Sequence, residues 1–236
     1  MLKIFAIITM FIDHFAIAFL DPFSTSYLVL RAIGRVSMPI FAYMLASGYI
    51  HTKNYNKYLI RMLTMAIIAQ IPFTMLISGI SFIQLFTTDL WVYLFYTLNI
   101  GFTFCVALIF LKIMDFTRVQ KSSLLHQFAQ ALLGMIILYY AHSCDYGAYG
   151  ICVVFIFYVW ILIFNQSKKS LLICGAIIGV LSIVFYGFPG ANQWLSALAI
   201  IPIYYLPHTK SNYKWVFYVF YPAHLILLVV ISAMLH

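Results

Sequence analysis

The sequence predicts an all-α integral membrane protein, a polytopic bundle of about nine transmembrane helices that forms one domain over residues 1–236. Of the 236 residues, 65% are hydrophobic and only 8% are charged, and the mean hydropathy is +1.04. Soluble globular domains carry roughly 25% charged residues. So few charges cannot cover a water-facing surface, and we therefore expect most of the surface to face lipid.

Apolar stretches of bilayer length recur along the whole chain. A membrane helix needs about 20 consecutive, mostly apolar residues, and no connection between the stretches is long enough for a separate soluble domain. The predicted helices cover 2–20, 29–50, 58–77, 91–111, 125–141, 147–164, 171–187, 191–206 and 214–235.

The basic residues predict the orientation of these helices. Connections around 78–90, 142–146 and 188–190 contain no Lys or Arg, whereas the alternate connections contain most of them. Because cytoplasmic loops are enriched in Lys and Arg, the amino terminus is predicted to be cytoplasmic and the carboxyl terminus to lie outside. The net charge of +8 follows from this topology, so no nucleic acid partner is expected. The cytoplasmic set is Lys3, Lys53, Lys57, Arg61, Lys112, Arg118, Lys121, Lys168, Lys169, Lys210 and Lys214.

Two arginines break this pattern, because Arg31 and Arg35 fall on the outer side of the second predicted helix. A charge at the bilayer centre costs about 2.5–3.5 kcal/mol on insertion scales, and such residues usually face a cavity or a partner. Arg31 either snorkels to the outer interface or serves a cavity. Arg35 lies deeper, roughly 20–25 Å above the inner edge at about 1.5 Å per residue, and is a candidate functional residue.

The first predicted helix carries the adjacent pair Asp13 and His14 in its middle. His14 follows Lys3 by eleven positions, so both face one side of the helix, with His14 about 16 Å above Lys3. A cation at the cytoplasmic mouth below an imidazole suits a long anionic ligand that enters from the cytosol. Asp13, about 100° round the helix, is expected to orient His14, to set its tautomer or to pair with Arg35. Alternatively, Asp13 and His14 only tie neighbouring helices together.

A second imidazole, His224, lies in the last predicted helix. It follows Lys214 by ten residues, which places it about 15 Å above the inner face, close to the depth of His14. If the first and last helices are neighbours, His14 and His224 line one cavity, with Tyr221 as a further lining residue. The alternative is a core histidine that is bonded to Tyr218 or Tyr221.

Other polar residues are weaker candidates for the same cavity. In DYGAYG, Asp145 suits a helix N-cap, although Asp145 and Tyr146 are also candidate cavity residues. Gln70 puts an amide inside the third predicted helix, either for a structural bond or for the cavity. The four cysteines are scattered without metal-ligand spacing, so no metal site is predicted.

Several motifs resemble, in order, those of the TraX family, whose named member is associated with amino-terminal acetylation of a conjugative pilin. They are LKIFAIITMFIDHFA, LRAIGRVSMPIFAYMLASGYIHTKNYNKYLIRML, AQIPF, FYTLNIG, DYGAYG and FYVFYPAHLILL. The family is in turn similar to the integral-membrane acyltransferases, including acyltransferase family 3. Those proteins place an Arg or Lys ten intervening residues before an essential His, as Lys3 and His14 do here. They also carry an aromatic-rich run into Ser-Gly, matched by Ser47-Gly48.

The resemblance implies a membrane-bound acyltransferase of the bacterial cytoplasmic membrane, with cytosolic acyl-coenzyme A, most simply acetyl-coenzyme A, as donor. His14 would be the general base, Arg35 would stabilise the oxyanion and Asp13 would hold His14. The acceptor would be an amine or hydroxyl reached from the other side, in a peptide such as a pilin, in a lipid or in a glycan. The donor's phosphates would bind Lys3 together with Lys53, Lys57 and Arg61.

Two other functions remain open from the sequence. Paired intramembrane His and Asp also serve as proton relays, so a small proton-coupled transporter or flippase is the main alternative. The other is a structural or assembly subunit without catalysis.

Overall fold

The computed structural model describes residues 1–80, 84, 94, 97–115, 123–188, 190–206 and 215–235. Every named element of this part is helical, which confirms the all-α class. The α-helices are α1 (Leu2–Phe19), α2 (Thr25–Gly34), α3 (Ser37–His51), α4 (Tyr55–Ser78), α5 (Ile100–Ile113), α6 (Leu124–Tyr140), α7 (Gly147–Ile163), α8 (Lys168–Tyr186), α9 (Ile200–Tyr205) and α10 (Val216–Leu235).

Within the described residues, six stretches are long and apolar enough to cross a membrane. They comprise α1, the run Thr25–His51, α4, Leu124–Ser143, α8 and α10, while α5 and α7 are shorter apolar helices. The total of nine spans and the orientation stay predictions. The start of the predicted helix 91–111 lies largely outside the described residues, as do Arg118, Lys121, Lys210, Lys214 and His236.

The predicted span over 29–50 lies within the single apolar run Thr25–His51, but it is not one continuous helix, because α2 ends at Gly34 and α3 begins at Ser37. Pro39 has no backbone N–H, so the carbonyl of Arg35, four residues earlier, loses its helical partner. Arg35 therefore stands at the junction of two helices. The prediction of one helix over 191–206 is also wrong, since a 3₁₀ segment, Gly190–Ala199, precedes α9.

The helix starts follow local side-chain chemistry. Ser24, Asn54, Asn99 and Ser123 each precede a helix, and each side chain accepts a hydrogen bond from a backbone N–H of the first turn. Such caps satisfy N–H groups that have no partner within the helix.

The core of the bundle lies where α3 packs against α7 and α4 packs against α10. Ile40 and Ala42 of α3 are fully buried, as are Tyr149 and Phe157 of α7. In contrast, α6 buries only Gly134 and lies at the periphery. Polar groups that face the centre are therefore surrounded by protein rather than by lipid.

Helix α1 packs against α2, α3 and α10. Gly34 permits the close approach of α2, because a Cβ atom there would overlap the Asp13 side chain. This approach brings the end of α2, with its arginines, beside the Asp13-His14 pair.

Candidate functional site

A cavity of about 130 Å³ lies between α1, the α2–α3 junction, the carboxyl end of α4, the amino ends of α5 and α7, and α10. We call it the polar cavity. Its polar lining residues are Asp13, His14, Arg31, Arg35, Ser37, Thr97, Asp145, Tyr146 and Tyr221, and apolar side chains such as Phe41, Phe73 and Phe217 complete the wall. In the predicted orientation, the helix ends that surround it belong to the outer side.

His14 and His224 meet, because the first and last described helices are neighbours, which was the condition of the prediction. His14 Nδ1 lies 2.7 Å from His224 Nε2, and the two rings are stacked with centroids 5.0 Å apart. His224 Nδ1 lies 2.9 Å from the Phe220 carbonyl oxygen, one helical turn earlier. His224 is thus a buried core histidine, as in the alternative, and its hydrogen bonds run to His14 and to the backbone of its own helix. His14 lines the polar cavity, and His224 stands behind it.

Asp13 forms an ion pair with Arg31, whose Nη1 donates to Asp13 Oδ2. The side chains are 11% and 18% exposed respectively, so the pair is largely desolvated. Three expectations are therefore corrected: Asp13 neither holds His14 nor pairs with Arg35, and Arg31 does not snorkel to the interface. The physical reason is the proximity of α2, which reaches Asp13 on the face of α1 that His14 does not share.

Arg35 is buried at the α2–α3 junction and lines the polar cavity, as predicted for a functional cation. Its Nε atom, Asp13 Oδ1 and Tyr221 Oη are buried polar atoms without a hydrogen-bond partner among the described residues. Buried polar groups nearly always have partners. These atoms of three cavity residues leave hydrogen-bonding capacity for water or for a polar ligand.

Asp145 and Tyr146 enter the cavity from the turn before α7. Tyr146 has φ +61°, a left-handed conformation that is unusual for a bulky residue and typical of functional sites. Asp145 is anchored by its backbone, since its N–H donates to the Leu98 carbonyl (2.7 Å) and its carbonyl accepts from Thr103. Tyr146, not Asp145, is the N-cap residue, so the capping interpretation of Asp145 is wrong. Burial raises the pKa of Asp145 to about 7.

Gln70 is not a lining residue of the cavity, and this candidate is corrected. Its Nε2 donates to the Thr97 carbonyl (3.0 Å) and its Oε1 accepts from Asn99 Nδ2 (2.8 Å). The amide thus fixes the chain before α5, where Thr97 does line the cavity. The structural alternative for Gln70 is the correct one.

The four cations predicted to bind the donor lie apart from the polar cavity. Lys3 is half-buried in the first turn of α1, Lys53 precedes α4, and Lys57 and Arg61 are exposed in the first two turns of α4. The Arg61 guanidinium lies 5.9 Å from the ring centre of Tyr218, near the start of α10. The beginning of α4 therefore lies beside the beginning of α10, whereas α4 lines the cavity with Phe73 and Ile77 near its carboxyl end.

Sequence reasoning missed Ser37, Thr97 and the structural roles of Gly34 and Phe220. Pro39 was a usable signal for the helix break that places Ser37 and Arg35 at the wall of the cavity. The Phe220 carbonyl is a backbone group, and no sequence pattern distinguishes it.

Comparisons with known proteins match nearly the whole chain. The model of the protein family described as "TraX protein" matches residues 1–232. A relative from Dichelobacter nodosus, "Probable fimbrial assembly protein FimC, serogroup H1", is 30% identical over 240 residues, which cover 96% of this chain and 92% of the relative. No solved structure matches the chain. The protein belongs to the TraX family.

Proposed function

We propose that this protein is a multi-pass acyltransferase of the bacterial cytoplasmic membrane, which transfers an acyl group, most simply acetyl, from coenzyme A to an amine. The observation that carries the proposal is the imidazole of His14 in a cavity that also contains Arg35 and three unsatisfied polar atoms. Acyl transfer from a thioester needs a base for the acceptor's proton and positive charge for the developing oxyanion.

His14 acts as the base in this proposal. The acceptor nitrogen attacks the thioester carbonyl while its proton passes to the imidazole. The carbon–sulfur bond then breaks, and the sulfur takes the proton from His14. The products are the acylated acceptor and the free thiol, so protons and charge balance.

Arg35 stabilises the oxyanion on the carbonyl. Its guanidinium is buried, and its Nε–H has no partner among the described residues, so it is available to donate. Asp13 acts through Arg31: the ion pair keeps Arg31 against α1 and leaves Asp13 Oδ1 for a polar group of the ligand. The charged residues of the cavity thus divide between an ion pair and ligand contacts.

The donor arrives from the cytosolic side in the predicted orientation. Lys3 lies eleven residues below His14 on α1, and Lys53, Lys57 and Arg61 cluster at the start of α4. Phosphate oxygens favour such Lys and Arg contacts. These cations take the nucleotide end of the donor, and its thioester reaches upward to His14.

The acceptor is the amino terminus of a fimbrial or pilin-like peptide that enters from the outer side. Two features support this substrate class: the D. nodosus relative carries a fimbrial assembly name, and Asp13 Oδ1 and Asp145 offer oxygens to an amine. Acylation of a hydroxyl in a glycan or lipid, in place of the peptide amine, would change the proposed class of acceptor.

Purified protein in detergent tests the proposal with radiolabelled acetyl-coenzyme A and a synthetic peptide that copies the amino terminus of the host's pilin. We expect label on the peptide amine, and its loss in His14→Ala. His51→Ala is the control, because His51 is a hydrogen-bonded histidine of a helix (Nδ1 to the Ser47 carbonyl, 2.8 Å) that does not line the cavity. Equal labelling with His14→Ala, or none with any acceptor, would disprove the function.

A further inference from the structure

The hydrogen bonds behind His14 determine which of its nitrogens is the base. The Phe220 carbonyl can only accept a hydrogen bond, so His224 Nδ1, 2.9 Å away, must carry a proton. In a neutral imidazole the other nitrogen is then a bare acceptor. His224 Nε2 therefore has a lone pair directed at His14.

The same reasoning applies to the His14 ring. His14 Nδ1, 2.7 Å from His224 Nε2, must be the donor of that bond. Its own Nε2 consequently carries the lone pair, and it makes no hydrogen bond within the described part of the chain. Since His14 lines the polar cavity, the basic nitrogen is the one that remains for the substrate.

We propose that His224 is a positioning residue, which fixes His14 in the Nδ1–H tautomer and holds the proton of the imidazolium when His14 Nε2 takes one from the acceptor. This role rests on the proposed acyl transfer. It is the task that a carboxylate performs in many catalytic triads. Asp13 does not take this role, because His14 Nδ1 is bonded to His224 and Asp13 is ion-paired with Arg31.

The hydrogen-bond arrangement also explains why the neutral His224, rather than a carboxylate, is sufficient to position His14. Phe220, His224 and His14 form one directed chain of donors and acceptors, and such chains strengthen through mutual polarisation. When His14 becomes cationic, its Nδ1–H bond to His224 becomes charge-assisted and stronger. A carboxylate in this place would add a third acidic group beside a cavity that already contains Asp13 and Asp145.

Nitrogen-15 NMR of the protein with labelled histidine reads the tautomer directly, without any substrate. We expect the His14 signals, identified by their loss in His14→Ala, to show a protonated Nδ1 and a bare Nε2 at neutral pH. In His224→Leu the fixed tautomer is lost, whereas in His224→Gln it is retained, because the glutamine Oε1 can accept from Nδ1–H. His51→Leu, which removes a histidine bonded to a carbonyl outside the cavity, leaves the His14 signals unchanged.

Kinetics complete the test. His224→Leu is expected to lower kcat for acyl transfer about 100-fold with little change in the donor KM, and His224→Gln to restore it to within about tenfold of wild type. A bare Nδ1 on wild-type His14, or an unaltered tautomer in His224→Leu, overturns the assignment. If the leucine variant does not fold, the wild-type tautomer and the glutamine variant decide the matter. Correct tautomers without acyl transfer to any acceptor would instead refute the proposed function alone.

Discussion

His14 Nδ1 and His224 Nε2 lie 2.7 Å apart although 210 positions separate them in the chain. The contact makes the first and last described helices neighbours. The groove beside it is lined by Phe15 and Phe19 of α1 and by Leu228 and Leu235 of α10, so residue numbers rise together along both helices. The two helices therefore run parallel.

The ion pair between Asp13 and Arg31 should make the two residues thermodynamically coupled. Asp13→Ala leaves the Arg31 charge largely desolvated and unpaired, which we expect to cost about 3 kcal/mol of unfolding free energy. The double variant Asp13→Ala/Arg31→Met should lose clearly less than the sum of the two single variants. Unfolding in detergent micelles measures all four proteins. Strict additivity would show that the pair contributes no interaction energy.

Gly34 should be intolerant of even a methyl group. In Gly34→Ala the new Cβ overlaps the Asp13 side chain, so α2 must move away from α1, with a loss of about 2 kcal/mol of stability. Gly179→Ala is the control, because its Cβ would meet Ala197 at 3.5 Å, an ordinary contact. We expect that control to be neutral or stabilising by up to about 1 kcal/mol. Thermal unfolding of both variants is the measurement, and an equal response would contradict the close packing at Gly34.

The sequence was sufficient for features that depend on helix geometry alone. The common depth of His14 and His224 follows from a fixed rise per residue, and Arg35 followed from its exception to the charge pattern. The partner of Asp13 did not follow, because it depends on which helix lies beside α1. The break at Arg35 was readable from Pro39, yet the apolar run through 29–50 concealed it.

Arg35 should contribute to the rate more than to donor binding. Arg35→Met removes a buried donor from the proposed oxyanion position, and we expect kcat to fall about 100- to 1,000-fold with a smaller change in KM. Arg35→Lys retains the charge without the planar fork and should recover part of the rate. Steady-state kinetics with acetyl-coenzyme A separate the two parameters. An increase in KM alone would place Arg35 in donor binding instead.

Lys3, unlike Arg35, should contribute to donor binding more than to the rate. In the proposed function, Lys3→Met removes a donor phosphate contact that is equal in the ground and transition states, so we expect the donor KM to rise about tenfold while kcat stays unchanged. Lys169→Met is the matched control, because Lys169 is an exposed lysine on the same predicted side of the membrane. An unchanged KM for Lys3→Met, or the same change in the control, would remove Lys3 from the donor site.

Asp145 should give the stability of the protein a distinctive pH dependence. Its pKa is raised by burial from an ordinary value of 3.8 to about 7, so between about pH 4 and pH 7 the folded protein holds a proton that the unfolded chain has released. Stability from this group is therefore complete below about pH 4 and is lost as the pH rises through about 7. Asp145→Asn, which mimics the neutral form, should remove this decline. The control Asp21→Asn, at an exposed position, should leave the decline in place. Unfolding midpoints in detergent from pH 4 to pH 8 measure the effect, and a decline that persists in Asp145→Asn would assign it to another group.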